Sequence, residues 1–227
     1  MYEKKLNQKD KMESLGRLVS GIAHEIRNPL TAIKTYIDLL PMKYDNEKFR
    51  AKITNQVPKE IDRLNNLLLE LLDYSKPKEM KKEIIKFKEL IDGIRELFIT
   101  KLNKENIILN CDIDDVSIYG DKQQVKQILI NLLINSIEAI EGKGNINLIV
   151  KEEGNSIIVT IEDDGEGIEE KNLKTIFDPF YTTKPTGTGL GLFISYKYIK
   201  ENEGEIKIKS KKGQGTRIDI TFKKAEE

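Results

Sequence analysis

The chain has 227 residues, 38% hydrophobic and 33% charged, with Lys+Arg and Asp+Glu at 38 each, which fits one large or two smaller folded domains and leaves no bulk charge for nucleic acid or an anionic membrane. The single cysteine, Cys111, excludes an intramolecular disulfide or a cysteine zinc cluster and fits a reducing, cytoplasmic compartment. No apolar run approaches the ~18 residues that span a bilayer and the lysine-rich start is no signal peptide, so direct membrane contact is not expected.

Residues from about 3 to 40 read as one long helix. Its apolar residues Leu15, Leu18, Val19, Ile22, Ile26, Leu30, Ile33, Ile37 and Leu40 fall at steps of three and four, one stripe of a helix. His24, the only histidine, is turned away from that stripe among Ser20, Gly21, Arg27, Asn28 and Thr31. Imidazole is a neutral nucleophile near physiological pH, although a solvated histidine with no role reads the same. Pro29 is the breaker inside the helix and predicts a bend one turn after His24. Pro41 and the run Tyr44-Asp45-Asn46-Glu47 read as a short connection.

A second helix is predicted over roughly 47 to 75, with the stripe Ile53, Val57, Ile61, Leu64, Leu68, Leu71 and Leu72 and a breaker at Pro58. Two such helices make an antiparallel hairpin. Its seam is too apolar to stand alone, so two hairpins pairing into a dimeric four-helix bundle is the economical way to bury it. Lys76-Pro77-Lys78 reads as the boundary between a domain at 1–77 and one at 78–227.

From about 80, strands and helices alternate. A strand is expected at 84–87, a helix at 88–103, and strands at 107–113 and 116–119. Asp121 is the N-cap of a helix reaching Glu141, whose core side is Val125, Ile128, Leu129, Leu132, Leu133 and Ile137 and whose stop is Gly142 and Gly144. Strands at 145–151 and 156–162 flank a Glu153-Gly154-Asn155 turn. A glycine-rich region fills 163–191, a helix runs on to about 203, and two strands close the chain around Lys212–Gly215. Helices on one face of a mixed sheet predict an α+β sandwich.

Three features of this second part carry chemistry. Asn131 and Asn135 are four apart and share a helix face; asparagine is a poor interior helix former, and its amide oxygen suits a hard cation such as Mg²⁺, or else a bond to a neighbouring loop. Asp163-Asp164-Gly165-Glu166-Gly167-Ile168 follows a strand: its glycines permit close approach of a flat ligand, and a carboxylate accepts from an exocyclic amine, although an ordinary acidic turn has the same spelling. Thr186-Gly187-Thr188-Gly189-Leu190-Gly191-Leu192 opens a helix, where exposed N–H groups and the positive dipole end suit phosphate. Neither the Rossmann fingerprint nor the Walker A spacing is present, which leaves a phosphate-binding lid with Lys184 at hand and Phe177–Tyr181 as its apolar hinge.

In this order, the His24-Glu25-Ile26-Arg27-Asn28-Pro29-Leu30 helix, the paired asparagines, the Asp163 turn, the phenylalanine segment and the glycine lid resemble the H, N, G1, F and G2 boxes of the catalytic core of two-component sensor histidine kinases. The wording is most similar to the nitrogen-regulation and sporulation-kinase branch. The resemblance implies a dimerisation and histidine-phosphotransfer domain followed by a catalytic domain of the fold shared with gyrase and mismatch-repair ATPases. It implies ATP and Mg²⁺ as cofactors, His24 as the phosphorylated nucleophile oriented by Glu25, and Asn28 as the holder of a hydrolytic water in a phosphatase reaction. In the nucleotide site it implies Asp163 on adenine within the Gly165, Gly167 and Ile168 turn, Asn135 on the metal, Asn131 at the phosphates, and Lys184, Gly187, Thr188, Gly189, Leu190 and Gly191 in the lid. Glu138 stands where some members carry a basic phosphate contact, which makes Lys184 the better candidate. The implied partners are a second copy of the chain and the receiver domain of a response regulator. A gyrase-like conformational ATPase and a non-catalytic phosphorelay scaffold are the alternatives. No sensory domain fits ahead of residue 12, so the expectation is a catalytic fragment or a kinase fed by a partner.

Overall fold

The computed structural model describes the backbone of residues 2–75, 80–184 and 187–225; side chains are described except at 2–21, 24, 66, 69, 70 and 72–75. By its contacts the chain divides into two units, Met1–Pro77 with Asp178–Leu190, and Lys78–Phe177 with Gly191–Glu227. The expected boundary at Lys76-Pro77-Lys78 lies outside the described residues, apart from its place in that division.

In the first unit, α1 (Tyr2–Lys43) and α2 (Glu47–Ser75) pack as a helical hairpin. The α1 helix is continuous through Pro29, whose missing N–H leaves the carbonyl of Glu25 without its helical donor. It also continues through Pro41, which corrects the expectation that this proline ends it. The turn is set instead by Asn46: its N–H donates to Lys43 O at 3.0 Å, and its side-chain oxygen accepts from Phe49 N at 3.1 Å as the cap of α2. Arg50 Nη1 adds a bond to Tyr44 O at 2.7 Å.

The apolar stripes of the hairpin are only partly covered. Ile22, Ile26, Ile33, Leu40, Ile53, Val57, Leu64 and Leu71 are half-buried, whereas Leu30, Ile37, Ile61 and Leu68 remain 51%, 57%, 45% and 48% exposed. Leu67, outside the expected stripe, is the buried residue of α2 among those described. The side chains of Leu15, Leu18, Val19 and Leu72 lie outside the described residues.

In the second unit, β1 (Lys82–Lys86) pairs antiparallel with β3 (Ser117–Asp121). The main sheet has the order β2-β4-β5-β7-β6, from β2 (Ile107–Ile113), β4 (Gly144–Glu153), β5 (Ser156–Asp163), β6 (Glu205–Ser210) and β7 (Thr216–Lys223). The β2–β4 pair is parallel and the others antiparallel, as a mixed sheet requires. Helices α3 (Phe87–Glu105), α4 (Lys122–Ala139) and α5 (Gly191–Glu201) lie over β2, β5 and β6 respectively, with α4 between the other two.

Burial alternates along β4 and β7, and along β5 apart from buried Thr160, so Ile146, Leu148, Val150, Val159, Ile161, Ile218, Ile220 and Phe222 share the helix-facing side. The predicted core side of α4 is buried residue for residue. Asp121 caps this helix through bonds from Gln123 N at 3.0 Å and Gln124 N at 3.1 Å, a contribution of about 1 kcal/mol. The helix stops at Ala139, two residues before the expected end and ahead of both glycines. The Ala139 carbonyl accepts from Glu166 N at 2.8 Å, so the loop after β5, rather than Gly142, ends α4.

Candidate active site

The Asp163 carboxylate sits at the end of β5, where alternation points it to the helix side, and it is 7% exposed. Oδ1 accepts from Gly165 N at 3.1 Å and Thr216 N at 3.2 Å, and Oδ2 accepts from Ser136 Oγ at 3.0 Å. A carboxylate offers about four acceptor positions, so Oδ2 keeps one for an external donor. Burial pushes this carboxyl above its ordinary value; the bonds from Gly165, Ser136 and Thr216 act against that, and nearby Asp164 adds to it.

The turn after Asp163 has no room for side chains at its glycines. A Cβ at Gly165 would meet Ala139 O at 2.6 Å, and one at Gly167, where φ is +64°, would meet Lys211 O at 2.1 Å. The turn is tied to the closing hairpin by Gly213 N donating to Glu166 O at 2.7 Å and Ile168 N donating to Ser210 Oγ at 2.8 Å. The expected adenine-side residues Asp163, Gly165, Gly167 and Ile168 therefore form one rigid edge.

On α4, half-buried Asn131 donates from Nδ2 to Gly191 O at 3.0 Å and to Ser195 Oγ at 3.2 Å, while its Oδ1 accepts from Gln127 Nε2 at 2.8 Å. Asn135, also half-buried, makes no side-chain hydrogen bond among the described residues. Its amide oxygen therefore suits a hard cation, the donor type that Mg²⁺ takes. No group of three or more His, Cys, Asp or Glu side chains among the described residues makes a metal cluster of its own.

Lys184, Gly187, Thr188, Gly189 and Leu190 group with the first unit, and Gly191 with the second. The loop is closed at its neck, where Phe180 N donates to Gly189 O at 3.0 Å. Phe180 takes φ +66°, a conformation that costs a bulky residue energy, and Gly189 takes φ +69° with Phe180 backbone only 2.4 Å from where a Cβ would stand. Within the loop Lys184 N donates to Thr182 Oγ1 at 3.0 Å and Leu190 N to Thr188 Oγ1 at 3.4 Å. Thr186 lies outside the described residues.

On α1, the backbone of His24 is helical and its side chain lies outside the described residues. Glu25 Oε2 is 2.8 Å from Arg63 Nη2 of α2, both side chains under one-fifth exposed. The same nitrogen is 3.4 Å from Gly187 O within that unit. Asn28 is exposed, one turn on from His24, and Pro29 beside it is buried.

Four partners of the site escaped sequence reasoning: Ser136 and Thr216 on Asp163, Arg63 on Glu25, and Ser195 on Asn131. Thr216 begins one of the two expected closing strands, but its place opposite Asp163 is set by the β5–β7 register, which local pattern does not show.

Two domain families match. The His Kinase A (phospho-acceptor) domain covers residues 14–79, and the histidine kinase-, DNA gyrase B- and HSP90-like ATPase covers 120–226. Sporulation kinase A of Bacillus subtilis (strain 168) is 39% identical over 226 residues, 98% of this chain and 37% of that protein. Sporulation kinase E of the same organism is 37% identical over 231 residues, 99% of this chain and 31% of that protein. Among solved structures, histidine kinase ThkA in complex with response regulator protein TrrA is 30% identical with a TM-score of 0.82, covering 99% of this chain and 66% of that one. A phospho-acceptor helical hairpin followed by a gyrase-type ATPase sheet defines the class. The chain belongs to the sensor histidine kinases, as their catalytic core. It spans about a third of the length of the two sporulation kinases. Among the described residues no helix is long and apolar enough to cross a membrane.

Proposed function

We propose that this chain uses ATP to phosphorylate His24 and passes the phosphoryl group to an aspartate of a response-regulator receiver domain. The observation that carries the reading is Asp163: a buried carboxylate fixed by three internal donors with one acceptor position left, which matches the exocyclic amine of adenine. Asn135 would hold Mg²⁺, which supplies charge neutralisation at the phosphates when bound. Asn131 lies one turn before it, and Lys184, Gly187, Thr188, Gly189, Leu190 and Gly191 belong to the cover over the phosphates.

In the transfer, the neutral His24 imidazole attacks the γ-phosphorus in line, the new N–P bond forms as the bond to the ADP oxygen breaks, and Glu25 accepts the proton from the other ring nitrogen. A carboxylate of the regulator then attacks phosphorus, the N–P bond breaks, and the proton held by Glu25 returns to the ring, restoring the neutral imidazole. Asn28, exposed on the face expected for His24, positions a water that hydrolyses the regulator's aspartyl phosphate, giving a second, phosphatase activity. The uncovered apolar residues Leu30, Ile37, Ile61 and Leu68 support a homodimer formed through the hairpin. The experiment is a two-stage labelling: γ-labelled ATP should label the chain, and a purified receiver domain added later should take that label. A chain that binds ATP but releases only free phosphate contradicts the reading.

A further inference from the structure

Gln127, Asn131, Gly191 and Ser195 form one hydrogen-bonded network between α4 and the first turn of α5. Gly191 O accepts from Asn131 Nδ2 at 3.0 Å and from Ser195 Oγ at 2.8 Å, and Asn131 Nδ2 also donates to Ser195 Oγ at 3.2 Å. A backbone carbonyl only accepts, so the Asn131 amide must present its NH₂ to Gly191. That turns Oδ1 the other way, where Gln127 Nε2 meets it at 2.8 Å. The orientation of the amide is thus dictated from both sides.

Ser195 is 0% exposed in the interior of a helix, where its hydroxyl brings a desolvation cost that an alanine methyl would not. Apolar packing alone gives no reason for a serine there. What the serine and asparagine do together is clamp one carbonyl, and that carbonyl belongs to the residue at which the 178–190 loop becomes helix α5. Gly191 itself is not crowded: a Cβ would find only Asn131 atoms, at 3.9 Å. The polar contact, not a steric one, fixes this point.

We infer that Ser195, with Asn131 and Gln127, is a positioning residue that anchors Gly191, the root of the glycine loop, and so fixes the point at which helix α5 begins. Asn131 then serves phosphoryl transfer through the loop rather than as a phosphate ligand, and its neighbour Asn135 is left for the metal. The catalytic consequence rests on the ATP reading above; the anchoring does not.

The test uses the intact chain with Ser195→Ala, exposed-site Gln127→Ala, and the double variant. Hydrogen exchange of the peptide spanning 178–195, measured without nucleotide, should quicken about tenfold in Ser195→Ala while the strands keep their protection. At saturating ATP the labelling rate of His24 should fall about tenfold, with KM for ATP within about twofold, since small misplacements cost rate rather than adenine contacts. The double variant should lose no more than the larger single loss, as members of one network do. Unchanged exchange at 178–195, unchanged labelling beside faster exchange, or losses that multiply as independent sites would each overturn the inference. If the unaltered chain takes no label, the ATP reading fails, and the exchange measurement still decides the anchor.

Discussion

Asn131 and Asn135 stand one turn apart on the same face of α4, yet the Asn131 amide is engaged at both ends and the Asn135 amide at neither among the described residues. Identical side chains at equivalent spacing therefore have different chemistry available. The engaged one is an internal connector. The other retains a carbonyl oxygen for a ligand.

That difference predicts how Asn135→Ala behaves. Mg²⁺-dependent labelling should fall by about 100-fold or more, the scale of losing a preorganised electrostatic contact. Binding of ADP without metal should stay within about twofold, because the adenine contact proposed above is at Asp163, not Asn135. Fluorescence titration with and without Mg²⁺ separates the two, and equal losses in both conditions would argue against a metal role.

The Asp163→Asn substitution keeps an acceptor for Gly165 N and Thr216 N but turns an NH₂ toward the free position. ADP affinity should drop about 10- to 100-fold, the range for a hydrogen bond to a charged group. The pH dependence of stability has a definite sign. Burial raises the folded-state pKa of Asp163 above its unfolded value, so the stability it contributes is present below the unfolded pKa and lost as pH rises through the folded one. Melting without nucleotide between about pH 3 and 7 should show the Asn variant gaining on the wild type as pH rises. A constant gap across that window would contradict the assignment.

Gly165→Ala places a methyl 2.6 Å from the Ala139 carbonyl, the contact region that ends α4, whereas Gly191→Ala meets nothing closer than 3.9 Å. The first should lower Tm by several degrees, corresponding to about 1–3 kcal/mol of overpacking. The second should leave Tm unchanged or raise it, since alanine favours helix over glycine by about 1 kcal/mol. Calorimetry of both variants is a direct check on the loop geometry.

The hairpin should dimerise through its uncovered residues. Ile61→Glu together with Leu68→Glu puts charge at positions 45% and 48% exposed in the single chain, so the fold of one hairpin tolerates them and a paired bundle does not. Light scattering should show monomers for the double variant and dimers for the unaltered chain. ADP binding should be equal in both.

Much of this fold can be read from local pattern. Asp121 announces its helix because a cap acts within three residues, and the core side of α4 follows from spacing alone. The carboxylate of Asp163 is equally visible as an acid at a strand end. Its environment is not: Ser136 on α4 and Thr216 on β7 lie 27 and 53 residues away in sequence and meet it only where that helix and that strand pack against the end of β5. The same reason moved the end of α4, where Glu166 from a later loop takes the last carbonyl before Gly142 can act. Pro41 misleads for a different reason, since a helix absorbs a proline near its end when another residue, here Asn46, supplies the turn. Arg63 left no trace, as one basic residue on a charged helix face looks like any other.

In the proposed reaction His24 is the transient carrier of the phosphoryl group, and labelling with γ-labelled ATP decides whether it is. The unaltered chain should take up acid-labile, alkali-stable label, the signature of an N–P bond, and His24→Gln should take up none while binding ADP as before. Label of the same amount and stability on the His24→Gln chain would contradict the account.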